Sequence, residues 1–149
     1  MNNMNKKMKQ ILKEEKFPET SFEIDAIVNR IVDKIKIINN CIIYDQDGTL
    51  RESRVNFDRV LKMFGDWTGY EVSCNELRFS RKLINPNVFF TLAEKLSEML
   101  LQKYAKKVVI YIIMHDNEVE LRFHVYREKE GLWLDEDLDK YNIPILYYM

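Results

Sequence analysis

The segment from Val108 to Arg127 limits the possible folds more than any other part of this chain. Val108-Val-Ile-Tyr-Ile-Ile-Met114 is an unbroken apolar run that enters the polar stretch His115-Asp-Asn-Glu118. Val119-Glu-Leu-Arg-Phe-His-Val-Tyr-Arg127 then leads away from it. In this second run Val119, Leu121, Phe123 and Val125 alternate with Glu120, Arg122, His124 and Tyr126, a period that sends the two sets to opposite sides of a strand. Strands joined by so short a turn run antiparallel, because a parallel pair needs a crossover of about a dozen residues or more. The hairpin therefore predicts an antiparallel-rich sheet, and the alternating polar residues read as its solvated face. Gly131-Leu-Trp-Leu-Asp-Glu-Asp-Leu-Asp139 would form an acidic, tryptophan-bearing edge.

Helical spacing accounts for much of the rest. Met4, Met8, Ile11 and Leu12 make one stripe of a basic helix or arm within residues 1–18. Phe17-Pro18 ends it, since proline disfavours helix in the residue before it. Thr20-x-x-Glu23 reads as a capping box for a helix carrying Ile24, Ile27, Val28, Ile31, Val32 and Ile35. Phe57, Val60, Leu61 and Phe64 predict another helix, with Gly65 as its cap. Asn85-Pro86 opens the longest one, with Asn as N-cap, followed by Val88, Phe89, Leu92, Leu96, Met99 and Leu100. Strands are predicted from Cys41 to Tyr44, over Tyr70, Val72 and Cys74 with Leu77 and Phe79 as its extension, and from Ile145 to Tyr148. This order gives an α+β fold: an antiparallel-rich sheet with a central C-terminal hairpin, packed by helices. The 149 residues fit one domain, 1–149.

The totals exclude several classes of function. A net charge of −1 supplies no global basic field for direct nucleic-acid binding. Lys6, Lys7, Lys9 and Lys13 nevertheless make the start basic, and Asp135, Glu136, Asp137 and Asp139 make the end acidic. Cys41 and Cys74 are too isolated for a disulfide framework or a zinc site and read as buried thiols. His115 and His124 carry no ligand spacing, so no metal and no cofactor is expected. No run approaches the roughly twenty apolar residues of a membrane span, and no apolar leader follows the first lysines. The expectation is a soluble, cytoplasmic protein without membrane contact.

Two segments carry candidate chemistry. Cys41-Ile-Ile-Tyr-Asp-Gln-Asp-Gly-Thr-Leu50 resembles the first motif of haloacid-dehalogenase-type phosphotransferases. That resemblance implies Asp45 as nucleophile, Asp47 as general acid/base and a Mg²⁺ ion neutralising the charges, in a small phosphatase. It also implies a parallel sheet and a later acidic strand end, which do not follow Leu50 in order. The competing reading is an ordinary turn after a strand. The second segment sets Trp133 beside Asp135, Glu136, Asp137 and Asp139. Those side chains suit a partner rich in Lys and Arg; the competing reading is that Trp133 and Leu134 pack back onto the sheet and the acids solvate the loop.

The Val/Ile-rich hairpin, Leu-Arg-Phe-His-Val-Tyr-Arg127, Gly131-Leu-Trp-Leu-Asp-Glu-Asp-Leu138 and the Ile143-Pro-Ile-Leu146 ending together resemble the immunity proteins of bacterial contact-dependent growth inhibition. The likeness is to those that neutralise ribonuclease toxins, and it runs from Phe79 to Met149. It implies a non-enzymatic protein that binds the C-terminal nuclease domain of its cognate toxin in the cytosol. The partner-binding residues chosen on physical grounds are Trp133, Asp135, Glu136, Asp137 and Asp139.

Overall fold

The computed structural model describes residues 2–14 and 23–149. In chain order it contains β1 (Asn2–Met4), α1 (Lys6–Glu14), α2 (Ile24–Asp33), β2 (Ile35–Ile38), β3 (Cys41–Tyr44), α3 (Phe57–Phe64) and α4 (Trp67–Cys74). Then come β4 (Glu76–Ser80), α5 (Phe89–Tyr104), β5 (Val108–Met114), β6 (Glu118–Val125) and β7 (Ile145–Tyr148). The Phe17-Pro18 stop and Thr20 of the predicted capping box lie outside the described residues. Five strands form one antiparallel sheet in the order β1-β7-β5-β6-β4, and β2 pairs antiparallel with β3. The fold is α+β, with the predicted hairpin at its centre. Val108 lies opposite Val125 and Met114 opposite Val119, and the His115 N–H closes the turn onto the Glu118 carbonyl at 2.8 Å.

The two faces of the sheet are covered by different means. On one, Val108, Ile110, Ile112 and Met114 join Val119, Leu121, Phe123 and Val125. Phe89, Leu92, Leu96 and Leu100 of α5, Val28, Ile31 and Val32 of α2 and Met8 of α1 pack over them. Full burial of each such large side chain contributes about 1.5–3 kcal/mol. On the other face Val109, Tyr111, Ile113, Ile145 and Tyr147 form a second cluster with Leu138. Here the cover is the chain between β6 and β7, through Leu132, Trp133, Leu134, Tyr141 and Ile143. The segment expected at an edge is therefore a cap lying on a face. The face expected to be solvated is partly interior, with Glu120 5% and His124 0% exposed. The physical reason lies in β5, which is buried at every position: a strand apolar on both sides needs two covers.

Three local expectations change for reasons of cap and turn chemistry. Ile35 belongs to β2 and not to the preceding helix. Asn39 and Asn40 both take positive φ, 48° and 63°, and make the tight turn that folds β2 back on β3. Tyr70, Val72 and Cys74 lie on α4, not on a strand. Asp66 caps that helix by accepting the Gly69 N–H at 2.7 Å, and helical period then sets Glu71 and Asn75 on one side. Met4 is in β1, so α1 begins only at Lys6. Leu77 and Phe79 do lie on a strand, α3 ends at Gly65 (φ 84°) as read, and a 3-10 turn at Pro86–Val88 precedes α5.

Asn5 joins the two ends of the described chain. It is 2% exposed, and its side chain uses both its donors and its acceptor. Oδ1 accepts the Met8 and Ile145 N–H groups, each at 3.0 Å. Nδ2 donates to the carbonyls of Ile143 at 2.7 Å and Leu138 at 3.3 Å. One amide thus caps α1, orders the entry to β7 and holds the cap segment. Asn5→Ala is expected to destabilise the fold by about 2–3 kcal/mol, from a lost N-cap and newly unpaired buried groups. Urea unfolding followed by circular dichroism would measure it.

Candidate functional site

The cap brings the predicted acidic residues together on an ordered backbone. Asp135, Glu136, Asp137 and Asp139 are all exposed. Asp135 accepts the Asp137 N–H at 2.9 Å, and Asp137 accepts the Asp139 N–H at 3.2 Å. Asp139 in turn accepts the Lys6 N–H at 2.8 Å, at the start of α1. Lys140 Nζ donates to Asp135 at 3.0 Å, and the Asp137 N–H and Lys140 together hold the Asp135 carboxyl below its ordinary value. Three of the four side chains thus help to shape the loop. Glu136 makes no such internal bond among the described residues and points its charge freely to solvent.

Trp133 sits differently from its acidic neighbours. Its ring meets Tyr111 edge-on, with centroids 5.5 Å apart, and the Arg122 guanidinium lies 5.3 Å from its centre. Its backbone N–H donates to the Tyr111 hydroxyl at 2.9 Å. It therefore fastens the cap to the sheet and remains only half-buried. The position of Arg122 over the indole is favourable in itself, by about 0.5–1 kcal/mol.

Beyond the cap's rim, β4 and β6 carry a cross-strand charge ladder. Arg78 pairs with Glu76 at 2.6 Å and Glu118 at 3.3 Å. Arg122 pairs with Glu120, and also with Glu76 at 3.1 Å. His115 Nε2 lies 2.7 Å from Glu120. Burial acts to raise the Glu120 carboxyl, but Arg122, His115 and Arg78 together bring it below its usual value.

A buried polar joint, not foreseen from sequence, links the two sheets. Glu71 of α4 is 0% exposed. Its carboxylate accepts the N–H of Ile42 in β3 at 2.6 Å, the N–H of Val125 in β6 at 3.1 Å and Arg127 Nη1 at 2.5 Å. One helical turn on, Asn75 accepts the Tyr44 N–H at 2.7 Å and donates to the carbonyls of Ile42 and Phe123, at 2.7 and 3.1 Å. Two side chains on one helix face thus stand in for a missing strand between β3 and β6. Burial pushes the Glu71 carboxyl upward, and Arg127 and the two backbone donors oppose it. Three donors and no acceptor around it fit the ionised form. Glu130 completes the cluster by accepting the Thr68 N–H at 2.8 Å at the start of α4.

The remaining candidates take structural positions. Lys36 Nζ lies 2.5 Å from Asp45, and Asp45 also accepts the Leu50 N–H at 3.1 Å. Lys36 holds the Asp45 carboxyl below its ordinary value and donates to the Gly48 and Leu50 carbonyls, each at 3.1 Å. Asp45 thus closes a turn, while Asp47 is exposed beside Gly48 (φ 72°). Among the described residues β3 pairs only with β2 and antiparallel, so the parallel sheet implied by the phosphotransferase resemblance is not there. Cys41 is buried, and burial pushes its thiol up to about 12. Among the described residues no group of three or more His, Cys, Asp or Glu side chains is placed to hold a metal ion. No helix among them is long and apolar enough to cross a membrane. A groove of about 740 Å³ opens between α1 and the tip of the hairpin. Its rim mixes Lys7, Arg81 and His115 with Asp116 and Glu118 and so offers no dominant sign of charge.

These features define an α+β protein with a central antiparallel hairpin, helices on one face and an acidic cap on the other. The chain belongs to the Uncharacterized protein PM0498 family, whose model matches residues 3–149. No curated protein and no solved structure matches it.

Proposed function

We propose that this protein is a non-enzymatic inhibitor of the immunity type, which binds the C-terminal nuclease domain of a cognate toxin and holds it inactive. The cap carries this reading: its backbone is tied to Tyr111 and Asn5, the Asp139 side chain ties it to the Lys6 N–H, and Asp135, Glu136, Asp137 and Asp139 are all exposed on it. A loop ordered before binding avoids an entropic cost on association. Carboxylates gathered on one surface attract the basic surface with which a nuclease holds phosphates. The resemblance of residues 79–149 to ribonuclease-toxin immunity proteins points the same way. In this reading Trp133 acts chiefly by fixing the cap, and Glu136 is the carboxylate most available to a partner.

The test is purification of the tagged protein from its native bacterium through a high-salt wash. Anything that stays bound is then expressed alone and together with this protein. The expected result is a stoichiometric C-terminal fragment of a large secreted protein, lethal alone and harmless in its company. A clean preparation, or a fragment equally lethal in both settings, overturns the reading. Within it, Glu136→Lys is expected to slow association about tenfold at low ionic strength without changing the unfolding midpoint. Surface plasmon resonance at two salt concentrations measures the rate, and an unchanged rate would place the contact away from Glu136.

A further inference from the structure

The hydrogen-bond relay beneath the cap has a fixed direction. His124 Nδ1 lies 2.8 Å from the Val125 carbonyl, which can only accept, so Nδ1 carries the ring proton. Nε2 then offers a lone pair, and the Tyr111 hydroxyl, 3.0 Å away, donates to it. The Tyr111 oxygen accepts the Trp133 N–H at 2.9 Å. The cap is thereby tied to β6 through a hydroxyl that has one acceptor to point at. Tyr111 and His124 are both 0% exposed, and their rings stack with centroids 5.5 Å apart.

We propose that His124 is an acid-sensitive latch on the cap, whose protonation at Nε2 reverses the bond to Tyr111 and releases the chain at Trp133. A protonated Nε2 must donate. The Tyr111 hydrogen then loses the acceptor it had at a residue that is 0% exposed, and buried unpaired donors are strongly disfavoured. Tyr111 satisfies its hydroxyl again only by moving, which breaks the bond to Trp133. The latch works whether or not the cap is a docking face; if it is one, acid would release the partner.

The groups around the ring come from every neighbouring element. β5 presents Tyr111, whose ring lies 5.9 Å from that of Tyr147 in β7 and whose hydroxyl also feels Tyr141 of the cap. Arg127, just after β6, opposes an added positive charge, while Asp66 at the start of α4 and Glu130 favour it. Burial outweighs them and lowers His124 from 6.5 to about 4. The folded protein thus binds this proton less readily than the unfolded chain does. Stability from the neutral ring is complete above pH 6.5 and is lost as pH falls toward about 4.

The test uses Trp67→Phe, which leaves Trp133 as the sole tryptophan of the two in the chain. Between about pH 6 and 4 its emission is expected to shift to longer wavelength while far-UV circular dichroism is retained. Adding His124→Gln, which cannot titrate there, is expected to abolish the step. A step that persists with His124→Gln, or one that coincides with loss of the far-UV signal, overturns the proposal. If His124→Gln does not fold, the wild type supplies the answer. Imidazole nitrogen shifts follow the His124 ring, and exchange of the Trp133 amide, corrected for its intrinsic pH dependence, is expected to rise about tenfold or more as that ring titrates. Unchanged protection across the titration overturns the latch.

Discussion

Glu71→Ala is expected to destabilise the protein by about 3–5 kcal/mol, the range for breaking one side of a buried ion pair. The loss has identifiable parts. Arg127 keeps its charge in a half-buried position without its carboxylate, and the N–H groups of Ile42 and Val125 lose their shared acceptor. Arg127→Ala should cost less, because Glu71 would keep both backbone donors. The double variant should fall well short of the sum of the two, since each single change leaves the other charge unpaired. Urea unfolding of all four proteins measures the cycle. A Glu71→Ala loss below about 1 kcal/mol would mean that water replaces the carboxylate at the joint. Because the joint ties β3, and through it β2, to β6 of the main sheet, amide exchange in β3 should rise before exchange in β5 does.

In the inhibitor proposed above, Asp135→Lys/Glu136→Lys/Asp137→Lys is expected to weaken binding of the nuclease domain by about two to three orders of magnitude at low salt, with most of the change in association rate. The substitution replaces three negative charges with three positive ones on one side of the cap. It also removes the acceptors of the Asp137 and Asp139 N–H groups, so part of the effect is a looser loop. Comparison with Glu136→Lys, which leaves those turns intact, separates charge from loop order. Binding would be measured by calorimetry and protection by growth of cells making both proteins. Full protection by the triple variant would place the interface elsewhere and leave the immunity reading standing.

The parts of this fold that were legible in the sequence are those set by local rules. The hairpin announced itself through period two in β6 and a short polar turn, and α3 and β7 through spacing and flanking Gly or Pro. What escaped was set by contacts distant in the chain. The alternation over Tyr70, Val72 and Cys74 imitates a strand, but Asp66 caps a helix there and the positions that matter are Glu71 and Asn75. Their role depends on β3 and β6 arriving on either side. Asn39-Asn40 was a readable turn signal, since Asn tolerates left-handed backbone, yet the apolar spacing through Ile35 hid it. The cap was also foreshadowed, because β5 is apolar on both faces while only one set of helices was available to cover it. The acidic residues are visible in composition alone, but the bonds by which Asp135, Asp137 and Asp139 tie the loop together depend on the path of its backbone and on Lys6, far away in the chain.

The pairing of β1 with β7 has a consequence for synthesis. Asn2 faces Tyr148 and Met4 faces Leu146, and Asn5 bonds to Ile145 across 140 residues of sequence. On a ribosome adding about 5–20 residues per second, the N-terminal strand has no partner for roughly 7–30 s. Through that interval α1 has no sheet edge to follow, and the cap has no Asn5 to hold it until β7 is released. The acidic surface is therefore completed last, so a nascent chain would present it only when synthesis has passed β7.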